Sequence, residues 1–560
     1  MRSYIFICLL LVLSVAVNAQ SNPYSISTAQ PLATKAGENI LKAGGNAFDA
    51  AVAITAALAV VEPYGSGIGG GGFWLLHDAR SKADIVIDGR ETAPLKSTAD
   101  MYLDAQGNLT RSSIDGPLAA GIPGVVAALE TISNQYGRLT LKDNLQPAIR
   151  LARDGFKPGA IYLRLAEFRK QALLASPSAA EIFLDDGLLP DEETLIIQED
   201  LASTLEKISQ HGADVFYRGE IADRLVKGVQ QAGGIWQAED LRQYQVVKRE
   251  PIYTVYNNMQ LSLPPPPTSG GVVITQILAM LENHDITLLD ESERVHIIVE
   301  AMRRAYQDRA IYLGDPDFID IPMNQLLDKS YASSRFQDFD FDQASISEAL
   351  PAAKLSAGDN TTHFSVLDSQ GNYVSATLSI NYPFGSGFVP PGTGVLLNDE
   401  MDDFSMAAGV ANVHGLVGSQ ANAIEPGKRM LSSMTPLFVR DENRVLIVGT
   451  PGGSRIISML ALAILNYAAG AGADEIVSAA RFHHQYLPDV IQFENNSLSE
   501  QAQKDLENLG HKLKALTGGY GNMQAIIWNR QTNTVEASSD PRGEGLAIAG
   551  QVISDNEYSK

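Results

Sequence analysis

Apolar residues recur at steps of three and four from about 34 to 61, with Ala36, Ile40, Ala47, Ala50, Ala51, Ile54, Ala57, Leu58 and Val61 on the repeat. That spacing predicts a helix, which Glu62-Pro63 ends. Gly65-Ser66-Gly67-Ile68-Gly69-Gly70-Gly71-Gly72 follows without periodicity and leads into Phe73-Trp74-Leu75-Leu76, an expected strand. The stretch from about 116 to 340 reads mainly as helix, most plainly at 147–154 and 297–309. Pro264-Pro265-Pro266-Pro267 is too short for a rigid spacer, and Thr268-Ser269-Gly270-Gly271 before an apolar run reads as a turn into a buried helix. From 339 to 360 the periodicity disappears, as in an exposed loop. Beyond it the period becomes two, over 363–368 and 373–380 around Ser369-Gln370-Gly371-Asn372, which predicts a hairpin. Thr361-Thr362 stand where the loop becomes strand.

Gly65, Gly67 and Gly70 formally satisfy a dinucleotide-binding pattern, but the order here is helix, glycines, strand. A pyrophosphate needs a strand before and a helix N-terminus after, so nicotinamide or flavin binding is not expected. The first nineteen residues, with Arg2, an apolar run and Val17-Asn18-Ala19, read as a signal peptide cleaved near Ala19-Gln20, which predicts a periplasmic or secreted protein with no membrane anchor left. The single cysteine, Cys8, falls inside that segment, so thiol catalysis, disulfides and cysteine-bound metals are excluded from the mature chain. A formal charge of −23 argues against nucleic acid as a partner.

The chain has no Gly-x-Ser-x-Gly elbow, no phosphate-binding loop and no His-Glu-x-x-His. His483-His484 are the only adjacent pair among nine histidines, and a structural or surface role is expected for them rather than metal binding. What stands out is an ordered series: Ala43-Gly44-Gly45-Asn46-Ala47-Phe48-Asp49-Ala50-Ala51, Asp88-Gly89-Arg90-Glu91-Thr92-Ala93-Pro94, Asp359-Asn360-Thr361-Thr362-His363, Asn398-Asp399-Glu400-Met401-Asp402-Asp403-Phe404, Leu431-Ser432-Ser433-Met434, Thr450-Pro451-Gly452-Gly453-Ser454-Arg455 and Asp540-Pro541-Arg542. In that order and spacing the chain resembles the γ-glutamyltranspeptidases, members of the N-terminal-nucleophile hydrolases.

The resemblance implies a four-layer αββα sandwich, α+β in class, built from both fragments of a cleaved precursor. The expected divisions are a signal peptide 1–19, a large subunit 20–360 and a small subunit 361–560. Thr361 would cut the chain after Asn360 and become an N-terminal nucleophile whose own α-amine, with an ordinary pKa of about 7.7–8.0, serves as base. By the same resemblance Arg90 grips the α-carboxylate of a γ-glutamyl group, with Ser432 and Ser433 beside it. Asn381, Glu400 and Asp403 hold the α-ammonium, and the N–H groups of Gly452 and Gly453 form an oxyanion hole. Two positions depart from the family: Ser379 replaces a frequent threonine, and His414 stands in the lid segment where bacterial members often carry tyrosine. The implied partners are a γ-glutamyl donor such as glutathione and an amino-acid or peptide acceptor, with no metal or organic cofactor. Two alternatives are a glutaryl-cephalosporin-type acylase, suggested by Ile380-Asn381-Tyr382-Pro383-Phe384-Gly385-Ser386-Gly387, and an unprocessed ligand-binding homologue.

Overall fold

The computed structural model describes residues 22–347, 361–405 and 419–552; the expected signal peptide, Asn360 and His414 lie outside them. Two antiparallel sheets lie at its centre. The first has seven strands in the order Leu546–Val552, Asn22–Thr28, Thr362–Leu367, Tyr373–Ser379, Gly71–Asp78, Ala83–Asp88 and Val247–Arg249. The second has six: Thr534–Ser539, Gln524–Asn529, Arg444–Gly449, Leu437–Arg440, Met259–Leu263 and Ile252–Tyr256. Strands from before and after position 361 pair with one another in both sheets: Asn22–Thr28 with Thr362–Leu367, and Met259–Leu263 with Leu437–Arg440. Neither portion can therefore complete a sheet alone, and the expected four-layer sandwich shared by both portions is what the chain forms.

Helices cover the outer faces. Ala47–Val61, buried along its whole length, shares a core with Phe364, Val366, Val374 and Ala376 of the first sheet. Helices Gly270–Leu281, Glu291–Tyr312 and Arg455–Ala468 share a second core with Leu437, Val439, Leu446 and Ile447. Between the sheets, small polar side chains cross directly: Ser375 Oγ donates to the Val448 carbonyl (2.9 Å), and Ser365 Oγ to the Ile447 carbonyl (3.2 Å).

Several expectations are corrected. The run from 34 to 61 is two helices, Pro31–Lys42 and Ala47–Val61. Gly44 at φ 93° turns the chain, and Asn46 restarts it by accepting from Phe48 and Asp49 N–H while Asp49 accepts from Asn46 N–H. The middle segment is not only helical: Val247–Arg249, Ile252–Tyr256 and Met259–Leu263 are strands that close sheet edges. The loop starting at 339 is pinned rather than exposed at Ser347, whose hydroxyl accepts from Arg303 Nη1 (2.6 Å) and whose N–H donates to Asp489 (2.9 Å). No described helix is long and apolar enough to cross a membrane.

Candidate active site

Antiparallel register sets the site. Thr362 pairs with Leu378, so Thr361, one step before the strand, faces Ser379, and their hydroxyls lie 3.5 Å apart. Ser379 ends its strand; its Oγ accepts from Asn381 N–H (2.8 Å), and Asn381 takes a left-handed φ of 70°, which asparagine tolerates better than most residues. Asn381 Nδ2 donates to the Asp399 carbonyl (3.1 Å). The glycine run 65–72 has a structural reason: a Cβ on Gly70 would sit 2.2 Å from the Ser379 carbonyl. That segment therefore serves close backbone packing, not a nucleotide.

Glu400 and Asp403 occupy a single 3₁₀ turn, Glu400–Asp403, where residues three apart eclipse and project together. Both meet Arg90, which is 1% exposed: Nη1 donates to Glu400 Oε2 and Nη2 to Asp403 Oδ2, each at 2.5 Å, while Nε donates to the Met430 carbonyl (3.2 Å). Burial raises Glu400 to about 7 against the pull of Arg90. The neighbouring Glu91, also buried, is pushed well above the usual carboxylate range by burial and by Glu400. One guanidinium here bonds two acids and stands 3.5 Å from a third, Glu91.

Ser432 and Ser433 come from a segment tied to the start of the Gly270–Leu281 helix. Ser269 N–H and Oγ both donate to the Ser432 carbonyl (2.8 Å each), and Ser432 Oγ accepts from Met434 N–H (3.0 Å). Gly452 and Gly453 lie between strand Arg444–Gly449 and helix Arg455–Ala468 with φ of 141° and 55°, and a Cβ on Gly452 would meet Met459 Cε at 2.5 Å. Neither N–H donates to another described residue. Two unspent donors at the start of a fourteen-residue helix suit a developing anion.

Thr361, Ser379, Asn381, Glu400, Asp403, Arg90, Ser432, Ser433 and Gly453 thus line one small cavity, with Gly452 adjoining it in sequence. The structure also brings in a residue that the sequence reading missed. Arg309, on the Glu291–Tyr312 helix, lines the same cavity; the only sequence signal was a charge on the apolar repeat Met302, Ala305, Tyr306, Arg309. On its other side Thr361 borders a second, more open cleft lined by Glu62, Tyr64, Arg164, Phe168, Tyr520, Asn522 and Arg542 among others. Glu62 is 4% exposed there, and burial raises its carboxyl to about 8 against the opposing pull of the nearby Thr362 hydroxyl.

His483 and His484 are wholly buried, which settles structural over surface: His483 bonds Ser458 (2.8 Å) and Gln485 (2.8 Å), and His484 bonds Asp489 (3.2 Å). His296, Glu300 and His511 come within 4.8 Å of one another, but Glu300 already accepts from Arg303 and Arg304, which disfavours a further cation.

The family pattern described as Gamma-glutamyltranspeptidase matches residues 33–550. The chain is 43% identical over 498 residues to a glutathione hydrolase proenzyme of Pseudomonas sp. (strain A14), covering 87% of this chain and 86% of that one. It is 40% identical over 533 residues to the glutathione hydrolase proenzyme of Escherichia coli (strain K12), covering 94% and 91%. Among solved structures, the cephalosporin acylase from Bacillus halodurans superposes with a TM-score of 0.83 at 27% identity, over 94% of this chain and 96% of that one.

Proposed function

The chain belongs to the gamma-glutamyltranspeptidase family, and on that premise we propose that it is a γ-glutamyl acyltransferase and hydrolase acting on glutathione or related γ-glutamyl amides. Maturation begins with Thr361 Oγ adding to the Asn360 carbonyl; the C–N bond breaks, and water hydrolyses the resulting ester. The products are a large fragment 20–360 and a small fragment 361–560 that remain one body, because strands of the two pair with each other within both sheets. The new α-amine of Thr361 takes the hydroxyl proton as Oγ attacks the γ-carbonyl of the donor, and the N–H groups of Gly452 and Gly453 hold the oxyanion. The proton passes to the departing amine, which leaves through the second cleft. Water or the amine of an amino acid or peptide then takes the γ-glutamyl group.

The observation that carries this reading is the meeting of Thr361, Ser379, Gly453 and the buried Arg90–Glu400–Asp403 cluster in one small cavity. A zwitterionic α-amino-acid head group presents the two charges such a cluster can exchange. A glutaryl group has no ammonium and would leave the acid pair unmatched, so the same geometry disfavours the acylase alternative despite the shared fold. Export through the N-terminal segment is part of the proposal.

A denaturing gel of mature protein should give two bands, the smaller starting at Thr361 by N-terminal sequencing. The same preparation should release the anilide from a γ-glutamyl anilide, faster with glycylglycine present. One persisting band without turnover would establish the unprocessed homologue instead.

A further inference from the structure

Arg309 is the cavity residue to which the reading above gives no work. It is 5% exposed, and its partners are hydroxyls: Nε donates to Ser269 Oγ (2.9 Å) and Nη2 to Ser433 Oγ (3.3 Å). Among the described residues no carboxylate lies within ion-pair distance of it, although the charge of Asp403, which pairs with Arg90, reaches it. Arg90 differs in every respect, since all three of its bonded nitrogens are spent on Glu400, Asp403 and the Met430 carbonyl. Burial of a cation that no carboxylate bonds directly is unfavourable, and it lowers the Arg309 guanidinium to about 10, with Tyr306 and Asp403 opposing. The molecule keeps this desolvated guanidinium, with no carboxylate hydrogen-bonded to it, on the wall of the cavity that Thr361 lines.

We propose that Arg309, working with the Ser433 hydroxyl that it orients, is a specificity-determining contact for the α-carboxylate of the γ-glutamyl group. An incoming zwitterion then meets a division of labour. Its ammonium goes to the acid pair Glu400 and Asp403, and its carboxylate goes to Arg309 and Ser433, together with any part of Arg90 that the acids release. The ion pair forms in the bound state only, so its full strength goes to discriminating substrates that carry the carboxylate. This deepens the γ-glutamyl reading of the cavity and rests on it.

Two analogues separate the charges: a 4-aminobutyryl anilide keeps the ammonium and lacks the carboxylate, and a glutaryl anilide keeps the carboxylate and lacks the ammonium. In processed Arg309→Gln enzyme, kcat/KM should fall about 100-fold on γ-glutamyl anilide, and by a similar factor on glutaryl anilide, as for loss of one partner of a desolvated ion pair. The slower 4-aminobutyryl reaction should change less than about threefold. Arg309→Lys should recover part of the loss on the two carboxylate substrates only. Should either analogue turn over too slowly, competitive inhibition by L-glutamate against 4-aminobutyrate reads the same contrast. Because the free enzyme sheds an unpaired charge, the unliganded Gln variant should keep or raise its Tm, whereas a structural role for Arg309 would lower it. Equal losses with and without the carboxylate, or no loss on γ-glutamyl anilide, overturn the assignment. Processed wild-type protein that turns over no γ-glutamyl anilide overturns the underlying reading instead, so the two failures are distinct.

Discussion

On one side of Thr361 the cavity wall is crowded with charged side chains, most of them a few per cent exposed: Arg90 between Glu400 and the 12%-exposed Asp403, and Arg309 against Ser433. On the other side the cleft is walled by one face of the Ala160–Leu174 helix, Ile161, Arg164, Leu165 and Phe168, and by the loop from Gly519 to Asn522. Phe168 is 58% exposed there, and Arg164 is exposed too. A site of buried polar groups rejects an analogue that leaves one of them unpaired by factors of about 10⁴–10⁵, whereas contact with a hydrophobic wall such as Ile161, Leu165 and Phe168 discriminates by about 10–200. The acyl side is thus built to choose, and the amine side to accept. That asymmetry fits a transferase whose donor group is constant and whose leaving and accepting amines vary.

The largest expected effect lies at the junction of the two sides. Thr361→Ala should leave the chain whole on a denaturing gel and lower γ-glutamyl anilide turnover by at least about 10⁴-fold. A cut chain in that variant would mean that another group performs the cleavage. On the choosing side, Asp403→Asn should cost about 100-fold in kcat/KM on γ-glutamyl anilide and less than about fivefold on glutaryl anilide. Equal losses on the two would remove the ammonium argument, and with it the case against the acylase alternative. On the accepting side, Phe168→Ala should raise the KM of an apolar amino-acid acceptor by less than about tenfold and leave hydrolysis unchanged. A loss comparable to that of Asp403→Asn would show that the amine side is also selective.

The same contrast explains what could be read before the fold was known. The hairpin after Thr361 was legible because strand alternation is local, and its antiparallel register alone places Ser379 opposite Thr361. Of the residues gathered by family resemblance, Arg90, Thr361, Ser379, Asn381, Glu400, Asp403, Ser432, Ser433 and Gly453 meet in one cavity. Arg309 was not legible, because nothing near it in sequence distinguishes a buried arginine on a helix from a core position; only tertiary packing against Ser269 and Ser433 does so. The helix break at Gly44 was hidden for a related reason: Ala36, Ile40, Ala47 and Ala50 keep step across it, and the turn shows only in the φ of Gly44 and the Asn46–Asp49 cap. The strands from 247 to 263 are too short to announce a period of their own inside a helical region, and they form because sheet edges are there to receive them.

Glu62 gives the comparison its finest test, one read in stability and not in turnover. Both sides of Thr361 hold a buried carboxyl, but Glu400 has Arg90 beside it and rises only to about 7, while Glu62 has no such cation and rises to about 8. The charge that reaches Glu62 from outside is that of Glu544, which pushes the same way as burial. Its folded pKa therefore lies above the ordinary 4.5, so the stability tied to its protonated form is whole below about pH 4.5 and is lost as pH rises through about 8. Glu62→Gln keeps the shape and cannot ionise. Measured in the uncut Thr361→Ala background, where no new α-amine can pair with the carboxylate, the two proteins should have nearly equal Tm at pH 5. By pH 9 the Gln variant should be the more stable, by an amount on the order of 3–5 kcal/mol. A difference that stays flat from pH 5 to 9 would mean that a cation reaches Glu62 after all, and the cleft side would then be as charge-balanced as the cavity side.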